Sequence, residues 1–303
     1  MSTSSTSPAL ASELGKPRSG VRFRTYYWIV VPMVVLFAFF HTFPVLTGVF
    51  YSFTNYAGFG DWKFVGLSNY LNIFRDDRVL GAYAFSFLFA VAATVLTNAF
   101  SLVIALALNA KIAFRNFFRG VFFVPYVLAM LVIGYVFKFI FGTSLPKLLS
   151  GIPLFADNIL TNPTWAWTAI VVLAVWQSCA FAIILYLAGL QTIPVELYEA
   201  ASLDGATAWQ QFRSITFPMI WAYFTINMVL SVKGFLQVFD PIVALTNGGP
   251  GTATESVTML IQRGGLTGGE FAYQTANAVI FFIIITIVSL IQFKGLGTGE
   301  ADN

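Results

Sequence analysis

Six long apolar runs separated by polar stretches leave this chain very few ways to fold. A run of about 20 apolar residues spans the roughly 30 Å hydrocarbon core of a bilayer when helical. Inside that core every backbone N–H and C=O must be satisfied within the protein, which runs of this length achieve as helices rather than as barrel strands. Composition agrees. Of the 303 residues, 58% are hydrophobic and 10% charged, against about 25% charged in soluble domains. The expected fold is an all-α membrane protein with about six transmembrane helices.

Residues 1–24 are rich in Ser, Thr, Ala and Pro and carry Lys16, Arg18, Arg22 and Arg24. They read as a disordered tail. The first run, Tyr26 to about Tyr51, is too long for a signal-peptide core and lacks a small-residue cleavage site, so it reads as an uncleaved span. His41 and Pro44 lie in its outer half. They predict a tolerated kink with a buried or interfacial histidine, the alternative being a proton or ligand role.

A polar segment from Thr54 to about Gly81 precedes the second run, about Ala82 to Ala110. There Ala93, Thr97, Ser101 and Ala105 repeat every four residues, a small-residue stripe suited to close helix packing; sugar contact is the alternative. Lys111, Arg115 and Arg119 crowd the short loop that follows and mark it as cytoplasmic by the positive-inside rule. The third run, about Phe117 to Phe141, has Pro125 as its expected kink. Gly142 to Pro163 reads as an external loop. The fourth run, about Trp165 to Leu190, carries a second small face at Ala174, Ser178 and Ala182. The sixth, about Tyr273 to Phe293, leads into a short tail at 295–303. With a cytoplasmic amino terminus, six spans place both termini and the loops at 111–116 and 191–216 inside.

The fifth run, Pro218 to about Val243, is the most polar. Asn227, Ser231 and Gly234 fall on one helical face; Lys233, Gln237 and Asp240 fall on another. Asn227 and Ser231 suit either a translocation path or interhelical hydrogen bonds. Lys233 suits either a path or snorkelling to the outer interface. The stretch Asp240 to Glu255 is expected to be a flexible, turn-rich external loop. A short amphipathic piece, Val257 to Arg263, follows it.

Little in the chain supports catalysis. His41 is the only histidine, which excludes a multi-histidine metal site within the subunit, and no lysine precedes Ser or Thr, which removes the P-loop signature. Cys179 is the only cysteine; it sits in an apolar run and is expected to be a packed thiol. A net charge of +3, dispersed along the chain, gives no footing for nucleic acid.

One polar stretch is punctuated too heavily for a plain loop: EAASLDGATAWQQFRSITFP, Glu199 to Pro218. Pro194 can open a helix, with Glu196 and Glu199 near its positive dipole end. Gly205 supplies a φ > 0 position to stop it. Thr207 and Gln210 have capping-box spacing for a second helix, on which Trp209 and Phe212 share a face. Pro218 marks the start of the next span. The loop is acidic, which suits docking of a basic partner.

This stretch resembles the EAA loop of binding-protein-dependent ABC importers. The matching residues are Glu199, Ala200 and Ala201, then Asp204, Gly205 and Ala206, then Phe212 and Pro218; Phe217 stands where the family usually has Leu. LAGLQTIPVELY (Leu187 to Tyr198), FVGLSNY (Phe64 to Tyr70) and LTNGGPG (Leu245 to Gly251) are similar to segments of maltose-type sugar permeases, the last to the first permease of the pair. The resemblance implies a type I permease domain at 25–294 with a coupling loop at 191–217, in a bacterial or archaeal cytoplasmic membrane. It implies a second permease subunit, two ATPase subunits that use ATP-Mg while this chain binds no cofactor, an extracytoplasmic binding protein and a carbohydrate, expected to be an oligosaccharide. Trp209 joins the ATPase-coupling set; Asn227, Ser231, Lys233 and Gln237 are the pathway candidates. The competing readings are an ion-coupled secondary carrier using Asp240, Lys233 and His41, and a membrane scaffold.

Overall fold

The computed structural model describes residues 23–110, 113–152 and 157–297, and among them the only regular elements are helices. The expected tail segments 1–22 and 298–303, and Lys111, lie outside the described residues. The chain divides into two compact units, Met1–Phe50 and Tyr51–Asn303.

The first unit holds the first span. Helix α1 (Phe23–Phe37) and helix α2 (Phe43–Tyr51) are joined by one π-helical turn, Ala38–Thr42, which contains His41. Pro44 lacks a backbone N–H, so the ladder widens there instead of breaking. The expected kink is thus a π turn within a continuous helix.

In the second unit, Thr54 pairs with Phe64 in a single antiparallel bridge ahead of α3 (Ser68–Ile73). The long helix α4 (Asp77–Asn109) follows, and Asp76 caps it by accepting from the amides of Arg78 and Val79. Then come α5 (Arg115–Val127), α6 (Met130–Phe139), a π turn at Ile140–Ser144 and α7 (Leu145–Leu148). Helix α8 (Ala166–Leu190) crosses next. After it come α9 (Val195–Leu203), α10 (Ala208–Gln211), a π turn at Phe212–Thr216 and α11 (Phe217–Met219). The chain ends with α12 (Trp221–Leu236), α13 (Asp240–Leu245), α14 (Val257–Leu266) and α15 (Phe271–Gly297).

Five of these stretches are long and apolar enough to cross a membrane: Tyr27–Tyr51, Asp77–Asn109, Met130–Leu148, Ala166–Leu190 and Phe271–Gly295. A sixth arises if Ala208–Met219 and Trp221–Leu236, bent by 69°, count as one. The core centres on α4 and α8. Ala93, Thr97, Ser101 and Ala105 are each 0% exposed, so the small-residue stripe lets α8 approach closely. Ser101 Oγ donates to the Cys179 carbonyl at 3.4 Å, and Cys179 Sγ to the Thr97 carbonyl at 3.7 Å; Cys179 is the expected packed thiol.

Three segments differ from the sequence reading. The third run is not one helix from Phe117 to Phe141. It breaks at Leu128 and Ala129, both extended, because Gln177 Nε2 donates to the Leu128 carbonyl at 2.9 Å and replaces the lost ladder bond. The fifth run does not start at Pro218 and run to Val243. It turns at Ile220 and stops at Leu236, since Phe239 is non-helical and Pro241 opens a new helix. Asp240 therefore does not share a helical face with Lys233.

The third difference is at Asp240 to Glu255, which is ordered and partly buried rather than a loose loop. Thr254 Oγ1 donates to the Gly249 carbonyl at 2.7 Å, and Glu255, 3% exposed, receives both Nε and Nη2 of Arg78 at 2.8 Å. A bidentate arginine fixes orientation as well as charge.

Candidate functional site

The polar stretch after α8 builds two helical arms joined by a Schellman turn. Helix α9 ends at Leu203, and Gly205 takes φ +76°. The Ala206 amide then donates to the Ala201 carbonyl at 2.9 Å and the Gly205 amide to the Ser202 carbonyl at 3.1 Å, the paired bonds that satisfy a helix end. This gives the motif spacing a physical reason. Ala201 and Ala206 are tied by their backbones across the turn, and Gly205 tolerates the left-handed backbone.

The second arm starts with the expected capping box. Gln210 N donates to Thr207 Oγ1 at 3.4 Å and Thr207 N to Gln210 Oε1 at 2.7 Å. Two contacts the sequence reading missed clamp the arms: Gln211 Nε2 reaches Ser202 Oγ at 3.0 Å, and the Tyr198 and Thr216 hydroxyls meet at 2.9 Å. Glu199, Ala200, Asp204 and Trp209 stay exposed. Glu199 has no hydrogen bond or ion pair among the described residues, and Trp209 is 68% exposed although aromatic.

From Trp209 an aromatic ladder runs through the bend into α12. Trp209 stacks on Phe212 with ring centroids 5.5 Å apart, Phe212 lies 5.9 Å from Phe217, and Phe217 lies 5.5 Å from Trp221 and 5.4 Å from Phe224. Phe217, the departure from the usual Leu, is the rung at the bend. Pro218 lies in the first turn of α11. The sequence showed aromatics at 209 and 212; the continuation needed the 69° bend, which spacing alone does not give.

Higher in the bundle, α8 and α12 flank a cavity of about 610 Å³. Its polar lining is Gln177, Ser178, Asn227, Ser231, Gln237 and Asp240, and Tyr126 stacks on Phe181 at 5.6 Å beside it. Three of the four pathway candidates thus meet in one cavity. Lys233 is exposed and is not among its lining residues. Asp240 reaches the cavity from α13, and Ala174, Ser178 and Ala182, expected as a packing face, line it as well.

Asn227 and Ser231 also tie helices together. Asn227, 1% exposed, donates to the Ala182 carbonyl at 3.3 Å; Ser231 Oγ accepts from Asn98 at 3.4 Å, and Tyr186 Oη donates to Asn98 Oδ1 at 2.7 Å. Tyr186 and Asn98 escaped the sequence reading because each is a single polar residue in an otherwise apolar run.

The model of the family described as "binding-protein-dependent transport system inner membrane component" matches residues 98–294. The multiple sugar-binding transport system permease protein MsmF of Streptococcus mutans is 38% identical over 275 residues, 88% of this chain and 94% of that protein. AmyD of Thermoanaerobacterium thermosulfurigenes, named a probable permease for starch degradation products, is 32% identical over 88% of this chain and 92% of that protein. In fold, the chain matches a crystal structure of a bacterial ABC transporter involved in alginate import. The TM-score is 0.80 at 21% identity, covering 96% of this chain and 99% of that one. With this family match and these relatives over most of its length, the chain belongs to the binding-protein-dependent transport system inner membrane components and is a multi-pass permease subunit of an ABC importer.

Proposed function

We propose that this chain is the subunit through which a neutral oligosaccharide crosses a bacterial or archaeal cytoplasmic membrane. Residues 25–294 form the permease domain, 191–217 the ATPase-coupling element, and 1–24 and 295–303 cytoplasmic tails. A second permease completes the pathway, two identical or related ATPase subunits hydrolyse ATP-Mg, and an extracytoplasmic binding protein delivers the sugar. The chain itself binds no cofactor.

The observation that carries this reading is the continuous aromatic ladder from Trp209 to Phe224, which joins a clamped, exposed helix pair to the helix lining the cavity. Aromatic rings in mutual contact, one pair stacked and the rest tilted or edge-on, transmit displacement where they are packed. When ATP closes the ATPase dimer, the coupling arms move as one body, and α12 reorients the cavity from one side of the membrane to the other. Glu199, Ala200, Ala201, Asp204, Gly205, Ala206, Trp209, Phe212 and Pro218 serve this coupling. Asn227, Ser231 and Gln237 face the sugar.

Among the described residues that line the cavity, Asp240 is the only acidic or basic side chain, which suits neutral hydroxyls and opposes an anionic sugar. The ring pair Tyr126–Phe181 offers an apolar platform for a pyranose face. Of the relay candidates of an ion-coupled carrier, Asp240 lines the cavity and Lys233 stands outside it, so the two do not line it together.

The test is cysteine crosslinking of the assembled complex. Trp209→Cys should crosslink to an ATPase subunit bearing surface cysteines, with a yield that changes on addition of ATP. Absence of any ATPase crosslink in an intact complex would refute the coupling role.

A further inference from the structure

Between α4, α5 and α8 runs an apolar groove of about 680 Å³, with Leu96, Phe100, Val124, Val172, Trp176 and Cys179 in its walls and no charged or amide side chain in its lining. Phe122, Ala180 and Ile183 carry it on into a smaller cavity of about 270 Å³, whose polar residues are Arg119 and Gln191. Gln191 closes the end of α8 just before the coupling arms, so the polar mouth opens at that end.

Arg119 Nε and Nη2 are buried and have no hydrogen-bond partner among the described residues. Buried guanidinium N–H groups left unpaired are strongly unfavourable, and an anion is what they accept. The surroundings add to this demand. Arg115 lies exposed one turn earlier, and Phe114, which precedes α5, gives it no side-chain cap, leaving its positive dipole end open. The sequence contains no Asp or Glu between Asp77 and Asp157, so the flanking spans supply no counter-charge.

We propose that this groove holds an anionic glycerophospholipid from the leaflet beside the coupling arms, with its phosphate on Arg119 and one acyl chain lying along α4, α5 and α8. The polar demand sits at one end of a wholly apolar channel, the pattern of a single-headed amphiphile. Basic pockets between transmembrane helices recognise anionic headgroups in this way. A transmembrane helix of a partner would fill the apolar length yet have to bring a carboxylate into the membrane to meet Arg119, which is unfavourable. The site is distinct from the sugar cavity and does not depend on the transport reading.

The intact transporter complex, equilibrated with vesicles of phosphatidylcholine mixed with phosphatidylglycerol and then analysed by native mass spectrometry, tests this. Wild type should retain phosphatidylglycerol in preference to phosphatidylcholine. Arg119→Gln should lower that retention about tenfold, the effect of losing a charged hydrogen-bond set, and Arg119→Lys should restore most of it. A benzoylphenylalanine photoprobe at Val172 in the otherwise wild-type complex should label phosphatidylglycerol in preference to phosphatidylcholine, a readout that stands even if Arg119→Gln fails to assemble. Equal phosphatidylglycerol retention by Arg119→Gln, labelling of the second permease by the Val172 probe, or displacement of the lipid by inorganic phosphate with no acyl-chain requirement would each overturn the proposal.

Discussion

Gln211 donates through Nε2 to the Ser202 hydroxyl at 3.0 Å and to the Ala206 carbonyl at 3.2 Å, so one side chain on the second coupling arm grips both the first arm and the turn between them. Ser202 in turn donates to the Tyr198 carbonyl at 2.7 Å. The clamp is exposed, so each bond contributes modestly, about 0.5–1.5 kcal/mol. Gln211→Ala should leave insertion and assembly intact and lower sugar moved per ATP hydrolysed, because a hinged lever loses stroke. Reconstituted vesicles in which uptake and hydrolysis are measured together report this ratio. An unchanged ratio would show that the clamp has no part in coupling.

Gly205 isolates backbone strain from packing. No atom lies within 4 Å of where its Cβ would stand, yet its φ is +76°. Substitution is therefore disfavoured by conformation alone, by about 1–3 kcal/mol for a β-branched residue. Gly205→Val should assemble but fail to transport, and Gly205→Asn, which tolerates the left-handed region, should keep most activity. Equal activity of the two variants would remove the turn from the mechanism.

Gly189 and Tyr223 test the contact between α8 and α12. A Cβ on Gly189 would lie 2.6 Å from the Tyr223 ring, closer than packed atoms allow. Gly189→Ala should destabilise the subunit by about 1–3 kcal/mol through overpacking, and adding Tyr223→Leu should recover part of the loss. Thermal stability of the purified complex, measured for both single variants and the double, gives the coupling; strictly additive losses would contradict the contact.

Glu199 is exposed and its side chain is unpaired among the described residues, on an arm between two apolar spans. Its helix-dipole interaction alone is worth about 0.3–1 kcal/mol. If it meets a basic side chain on the ATPase, Glu199→Gln keeps the shape, removes the charge-assisted bond and uncouples hydrolysis from uptake, with partial rescue by a charge change on the ATPase. Wild-type coupled transport by Glu199→Gln would leave the dipole as its whole role.

The two short helices and the turn between them were legible in the sequence because their information is local. Gly205, the Thr207–Gln210 box and the Trp209–Phe212 pair each act within a few residues, so spacing alone specified them. The break at Leu128 was not legible, since it depends on a partner far along the chain: Gln177 satisfies the Leu128 carbonyl. The Asp240–Glu255 segment misled for the same reason. Its Gly- and Thr-rich composition suggested mobility, while its order comes from Arg78, 177 positions away in sequence. The cavity was half visible: Asn227, Ser231, Gln237 and Asp240 lie on the fifth run, whereas Gln177 and Ser178 join them only in three dimensions.

Uptake into proteoliposomes tests the central claim most directly. With both permeases, the ATPases and the binding protein present, sugar accumulation should require internal ATP together with external binding protein, and should be indifferent to proton or sodium gradients. Accumulation driven by an ion gradient through this chain alone, without ATP, would contradict the account.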